Sequence, residues 1–200
     1  MKTAILLLSI LSMGTVACNS KGEKKDPGEG KSAKVAPVDD LDDDDPSKVI
    51  DWQAIKRSVI KETVDGIPFI IEIPEHRLLK KEIKKNDGTF PGYVTWSLGF
   101  RDGPGFTVQP ADYPASEETL KESLLGQGQS VTLVEALPDG GWLQVVDEDS
   151  KNYYLITVYR KNAAGQSVRF SVSERRRNPI PGYDAEKAWA ITVAKSFKLP

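Results

Sequence analysis

The composition of the chain changes sharply near residue 50, and this change limits where a folded core can form. Residues 19–50 are rich in lysine and aspartate but almost free of large apolar side chains. Such a segment buries too little apolar surface to offset the entropy that is lost on ordering. We therefore expect a disordered tether over residues 18–50 and one globular domain over residues 51–200, whose roughly 150 residues are enough for a single hydrophobic core.

The first seventeen residues have the layout of a secretory signal peptide. Lys2 supplies the positive charge, and residues 3–13 form an apolar run that is too short for the roughly 30 Å core of a bilayer. The sequence Thr-Val-Ala-Cys then follows at residues 15–18 and resembles a bacterial lipobox. The resemblance implies that cleavage leaves Cys18 as the new N-terminus and that this cysteine carries the lipid anchor, such as palmitate.

Cys18 is the only cysteine of the chain. The globular domain therefore contains no disulfide, and its stability must come from apolar packing. Asn19 follows the cysteine, whereas in many double-membrane bacteria an aspartate at that position retains a lipoprotein in the inner membrane. The absence of that aspartate predicts an outer-membrane lipoprotein whose globular head lies in the periplasm.

The residue pattern of the head predicts mainly β-strands. Residues 153–159 are rich in β-branched and aromatic side chains, residues 168–172 alternate between apolar and polar, and turn residues separate the two runs, which predicts a hairpin. A second hairpin joins residues 130–134 to 142–146 through Pro-Asp-Gly-Gly, whose glycines allow tight turns. Earlier strands are expected at 67–73, 78–84 and 93–99.

Two helices are expected in addition. The first has Ser116 as N-cap and ends before Gly126, with Leu120 and Leu124 on one face. The second has Asp184 as N-cap. Its apolar stripe repeats every four residues and consists of Ala185, Trp189, Val193 and Phe197. Together these elements predict an α+β fold in which amphipathic helices cover an antiparallel β-sheet of hairpins.

Three local features carry a resemblance to a known family. They are Phe-Ile-Ile-Glu-Ile-Pro-Glu at 69–75, the helix followed by two hairpins, and Ala-Trp-Ala-Ile-Thr-Val-Ala-Lys-Ser-Phe-Lys at 188–198. This layout resembles the PsbP-like superfamily, which includes extrinsic subunits of photosystem II, a nuclear Ran-release factor and bacterial lipoproteins. The resemblance covers about residues 59–199 and implies an α/β/α sandwich with a binding role.

Residue types that carry common catalytic chemistry are scarce. His76 is the only histidine, the chain has no Gly-x-Ser-x-Gly elbow, and the lipid anchor would occupy the only cysteine. The same counts exclude His-rich and Cys-rich metal sites, so we expect no cofactor and no metal ion. Paired carboxylates remain an alternative route to hydrolysis of glycan or lipid. The acids available are Asp102, Asp112, Asp147 and Glu148.

Two segments are candidates for binding. Residues 99–114 are rich in glycine and proline and are interpreted as a long loop, with Phe100 and Phe106 as candidate contacts. The triplet Arg175, Arg176 and Arg177 follows the last strand and offers positive charge to an acidic partner or to lipid headgroups. The structural alternatives are that the aromatic side chains attach the loop to the sheet and that the arginines are solvated.

These observations favour a non-catalytic, membrane-anchored binding head for a protein or a small ligand. The alternatives are a small envelope hydrolase that uses two carboxylates and a structural spacer with no specific ligand. The formal net charge of −2 provides no overall basic field, which argues against nucleic acid as a partner.

Overall fold

The computed structural model describes residues 35–36, 49–76, 79–97, 103–123 and 125–200. In chain order the elements are β1 (Val35–Ala36), β2 (Val49–Ile50), β3 (Arg57–Val64), β4 (Ile67–Pro74), β5 (Lys80–Lys84), β6 (Tyr93–Ser97), β7 (Gly105–Pro110), α1 (Glu117–Lys121), β8 (Gln129–Ala136), β9 (Trp142–Glu148), β10 (Tyr153–Lys161), β11 (Ser167–Arg175) and α2 (Tyr183–Lys195).

Seven strands form one antiparallel sheet in the order β5-β6-β7-β11-β10-β9-β8. The two predicted hairpins are confirmed, because β8 pairs with β9 and β10 pairs with β11. The turn between β8 and β9 needs its glycines, since Gly140 and Gly141 have φ angles of 86° and 103°. A Cβ atom on Gly141 would also collide with the carbonyl oxygen of Tyr159.

A separate hairpin is formed by β3 and β4. The sequence predicts β4 but not β3, whose outward positions include Arg57, Val59 and Lys61. The overlooked signal is the Asp65-Gly66 pair between the strands. Both residues have positive φ angles, 48° and 79°, as a two-residue hairpin turn of the primed type requires.

The prediction of a loop over residues 99–114 is wrong for the central part of this segment, which forms strand β7. This strand pairs with β6 on one side and with β11 on the other. Gly105 and Pro110 mark its two ends, so the punctuating residues bound the strand instead of replacing it. Its central residues Phe106 and Val108 are completely buried.

Helix α2 covers one face of the sheet together with the β3–β4 hairpin. Trp189 and Phe197 are buried, as expected, and Trp189 lies 4.8 Å from the ring of Trp52 in the turn before β3. Ala185, by contrast, is exposed, and the inward position next to it is taken by Glu186. The helix begins at Tyr183 after Gly182, which has a φ angle of 68°, so Asp184 lies in the first turn and is not the N-cap.

Helix α1 is much shorter than expected. Ser116 is its N-cap, as predicted, and accepts a hydrogen bond from Thr119 N at 3.3 Å. The helix ends at Lys121, and the Leu120 carbonyl accepts hydrogen bonds from Gln144 Nε2 at 2.7 Å and from Ser123 Oγ at 2.9 Å. Leu124 lies outside the described residues.

The fold is therefore α+β, with an antiparallel sheet of hairpins, but it is not the predicted α/β/α sandwich. Helix α2 lies on one face only, and α1, with its five residues, lies over β8 and β9 on the other. Within the described ranges, no helix is long and apolar enough to cross a membrane.

Little of the predicted tether falls within the described residues. Strand β1 pairs in parallel with β2, through Val35 opposite Val49 and Ala36 opposite Ile50. Residues 18–34 and 37–48 lie outside the described part, so their disorder remains a prediction.

Candidate functional site

The face of the sheet opposite α2 carries a row of hydrogen-bonding side chains, which we call the hydroxyl row. Its members lie directly opposite one another on β6, β7, β11, β10 and β9. They are Thr95, Thr107, Ser171, Thr157 and Gln144. Neighbours bond across strands, at 3.1 Å between the hydroxyls of Thr95 and Thr107 and at 3.3 Å between those of Thr157 and Ser171.

A second row of planar side chains runs beside the first. It consists of Gln109 on β7, Arg169 on β11, Tyr159 on β10 and Trp142 on β9, all of which are half-buried. With its amide turned toward the guanidinium, Gln109 accepts hydrogen bonds from Arg169 Nη2 and Nε at 2.5 and 3.0 Å. We call the two rows together the open face.

Arg175 extends the open face at the far end of β11. Its guanidinium lies 4.1 Å from the centre of the Tyr153 ring, and its Nη2 lies 3.0 Å from Glu148 Oε1. The structure thus places one member of the predicted basic triplet on the same face as the two rows.

Arg176 points to the other side of the molecule, and its side chain is largely covered. Its side chain is 9% exposed, with Nε 3.2 Å from Glu174 Oε1 and Nη2 3.7 Å from Glu186 Oε2. Glu186 also accepts hydrogen bonds from Trp52 Nε1 at 3.0 Å and from Tyr154 OH at 2.9 Å. The solvated-loop interpretation is therefore wrong for Arg176, while Arg177 is exposed.

These side chains form what we call the buried ion cluster, which consists of Trp52, Tyr154, Glu174, Arg176 and Glu186. Burial shifts the pKa of two of its members, Glu186 and Tyr154. Desolvation raises the pKa of Glu186 above its ordinary value of 4.5, against the opposing effect of the Arg176 charge. Desolvation and the Glu186 charge also raise the pKa of Tyr154 well above its usual range, so this phenol stays protonated and donates its hydrogen bond.

The raised pKa predicts a pH-dependent contribution of Glu186 to stability. An acid whose pKa is higher in the folded state stabilises the fold fully below its unfolded pKa and loses that contribution as pH rises through the folded pKa. The free energy of unfolding of the wild type minus that of Glu186→Gln should therefore fall as pH rises from about 4 toward 7. Urea titrations of both proteins measure this difference, and all other titrating groups are common to both. A difference that stays constant or grows with pH would contradict the argument.

The remaining predicted contacts do not join the open face. Phe106 is completely buried beneath α2, where its ring makes an edge-on contact with Trp189 at 6.2 Å. Its burial matches the structural alternative, in which the aromatic side chain holds this segment to the fold. Phe100 and Cys18 lie outside the described residues.

Asp147 and Glu148, two of the candidate carboxylates, do not form a facing pair. Asp147 and Glu148 are neighbours on β9 and therefore point to opposite faces of the sheet. Asp147 lies 2.6 Å from Lys187 Nζ, while Glu148 pairs with Arg175. Asp112 is exposed after β7, and Asp102 lies outside the described residues. The part of the chain that the structure describes contains no cluster of three or more histidine, cysteine, aspartate or glutamate side chains that could hold a metal ion.

Sequence reasoning missed the two rows because they depend on strand register. Serine and threonine in a strand carry no local signal of function, and β7 meets β11 only after more than fifty intervening residues. No protein-family model matches the chain, and comparison with curated proteins gives no significant match.

Proposed function

We propose that this protein is a lipid-anchored envelope protein whose open face binds another protein. The observation that carries the proposal is the asymmetry of the sheet. One face is buried under α2 and the β3–β4 hairpin, whereas the other carries hydroxyl, amide, guanidinium and aromatic groups in register. On this other face Thr157 is buried and Gln144 is buried beside α1, while the remaining members of the two rows are partly exposed. Tyrosine, tryptophan and arginine are the residues that most often dominate binding energy at protein interfaces.

The dimensions of the open face favour a protein over a small ligand. The five strands that carry the hydroxyl row span about 20 Å at the usual spacing, and their longest members extend about 30 Å. The resulting area of roughly 600 Å², less the part that α1 covers over β9, lies at the low end of one partner's share of a standard interface. Small-molecule sites, by contrast, are concave clefts.

The anchor and the location are part of the same proposal. The lipobox-like sequence before Cys18 supports lipidation, and Asn19 supports sorting to the outer membrane with the head in the periplasm. The order of β4 ending in Ile-Pro, α1, two hairpins and the closing α2 supports kinship with the PsbP-like superfamily. Binding without catalysis agrees with that kinship.

Site-specific photo-crosslinking in intact cells tests the binding face. A photoreactive amino acid at Ser171, in the middle of the hydroxyl row, should give a discrete adduct with one protein. The same amino acid at Thr192, which is exposed on α2 on the opposite side, should give none. Replacing both Arg169 and Tyr159 by alanine should reduce the Ser171 adduct at least about tenfold, because interface anchors contribute about 2 kcal/mol or more.

Thermal unfolding of the alanine variant controls for loss of the fold. The proposal fails if Ser171 gives no adduct, or if Thr192 gives the same adduct with equal yield.

A further inference from the structure

In the β5–β6 hairpin, strand β5 and the connecting loop, residues 80–92, are exposed at every position except Gly92, and we call this part the basic hairpin. Every residue of β5 is exposed, although an edge strand normally buries the side chains on one of its two faces. Two large apolar side chains are exposed as well, Ile83 by 54% and Phe90, in the connecting loop, by 60%. Exposed apolar groups ringed by charge mark surfaces that meet proteins or membranes.

The charges of this basic hairpin are mostly positive. It carries Lys80, Lys81, Lys84 and Lys85 against two acids, Glu82 and Asp87. Lys81 is bonded to Glu62, but within the described part of the chain Lys80 and Lys85 make no ion pair or hydrogen bond through their ammonium groups.

The tip of the hairpin combines one aromatic ring with nearby cations. The Lys84 ammonium lies 5.4 Å from the centre of the Phe90 ring. Asp87, the acid of the tip, accepts backbone hydrogen bonds from Thr89 and Phe90 at 2.9 and 2.8 Å. These backbone bonds lower the pKa of Asp87. Its second carboxylate oxygen, Oδ2, lies 3.9 Å from Lys84 Nζ, so Lys80 and Lys85 carry the ammonium groups that are most available to a partner.

We infer that the basic hairpin docks on the surface of a membrane that contains anionic lipids. Lysines near such a surface are attracted to the headgroup phosphates, and an apolar side chain such as phenylalanine is favourable at the boundary between headgroups and acyl chains. Lysines on an edge strand also discourage pairing with other sheets, but that role does not explain an exposed phenylalanine at the tip.

This inference rests on the proposed function, in which a lipid on Cys18 holds the N-terminus at a membrane. The membrane that the basic hairpin would meet is then the same one. The open face lies across the sheet strands and stays available to a partner.

Hydrogen exchange of the full chain on vesicles tests the inference. The chain is reconstituted into phosphatidylcholine vesicles with or without phosphatidylglycerol, and exchange is followed in the peptide that covers residues 80–92. We expect slower exchange only with phosphatidylglycerol, and we expect high salt to reverse the effect. The triple variant Lys80→Gln, Lys84→Gln, Lys85→Gln should abolish the protection, because each lysine contributes about fivefold to the docking equilibrium and three contribute about 100-fold.

A matched variant distinguishes an effect of the lysines in the basic hairpin from an effect of the net charge of the protein. Lys56→Gln, Lys161→Gln, Lys198→Gln removes the same charge from other exposed positions and should keep the protection. Equal exchange on the two kinds of vesicle, or equal loss of protection in both triple variants, would overturn the inference.

Discussion

Replacing Arg176 by methionine should lower the free energy of unfolding by about 3–5 kcal/mol, whereas Arg177→Met should change it by less than about 0.5 kcal/mol. The two arginines are adjacent in sequence and differ only in surroundings. Arg176 lies between the carboxylates of Glu174 and Glu186, whose side chains are 4% and 2% exposed. Without the guanidinium these acids lose their shared cation in a place that water does not reach.

Chemical and thermal unfolding of the two variants measure the difference. For a domain of this size, the expected loss corresponds to a drop in Tm of roughly 6–20 °C. The deficit of Arg176→Met should be smaller at acidic pH, because Glu186, with its raised pKa, then becomes neutral. Equal stability of the Arg176 and Arg177 variants would show that the buried ion cluster is not formed.

The sequence predicts the parts of the fold that depend on local signals. Period-two alternation and turn glycines are sufficient to place both hairpins between β8 and β11, because each pairing joins neighbouring strands through a short turn. The N-cap role of Ser116 is equally local, since its partner is the backbone of Thr119.

The missed elements depend on distant partners. Strand β7 is short and bounded by glycine and proline, and it is stabilised by pairing with β6 and β11 on its two sides. In the same way, the sequence of α2 does not predict that Glu186 faces inward, because a glutamate interrupts the apolar stripe. Its burial depends on Trp52, Tyr154 and Arg176, which are distant in sequence and contact its carboxylate. Composition and periodicity do not contain such pairings.

The open face also depends on pairing between strands that are distant in sequence. Thr107 and Ser171 are ordinary surface residues in sequence, and only the antiparallel register of β7 and β11 sets them opposite each other. The predicted arginine triplet shows the opposite: residues that are adjacent in sequence have different surroundings in the fold. Arg175 lies on the open face, Arg176 belongs to the buried ion cluster, and Arg177 is exposed to solvent.

If Cys18 carries the proposed lipid anchor, its substitution should remove the protein from the membrane completely. Cys18 is the only thiol of the chain, so Cys18→Ser removes the only group that can carry a thioether-linked lipid. We expect the variant to accumulate as an unprocessed precursor or as a soluble periplasmic protein. A double variant that also carries Ser20→Cys restores a thiol two residues away and should remain unlipidated, because the cysteine no longer follows Thr-Val-Ala.

Metabolic labelling with a palmitate analogue, followed by separation of membrane and soluble fractions, tests the central claim most directly. The account predicts that the wild type is labelled and fractionates with membranes, and that both Cys18 variants are unlabelled. A labelled Cys18→Ser protein that remains in the membrane fraction would contradict the assignment of this chain as a lipoprotein anchored through Cys18.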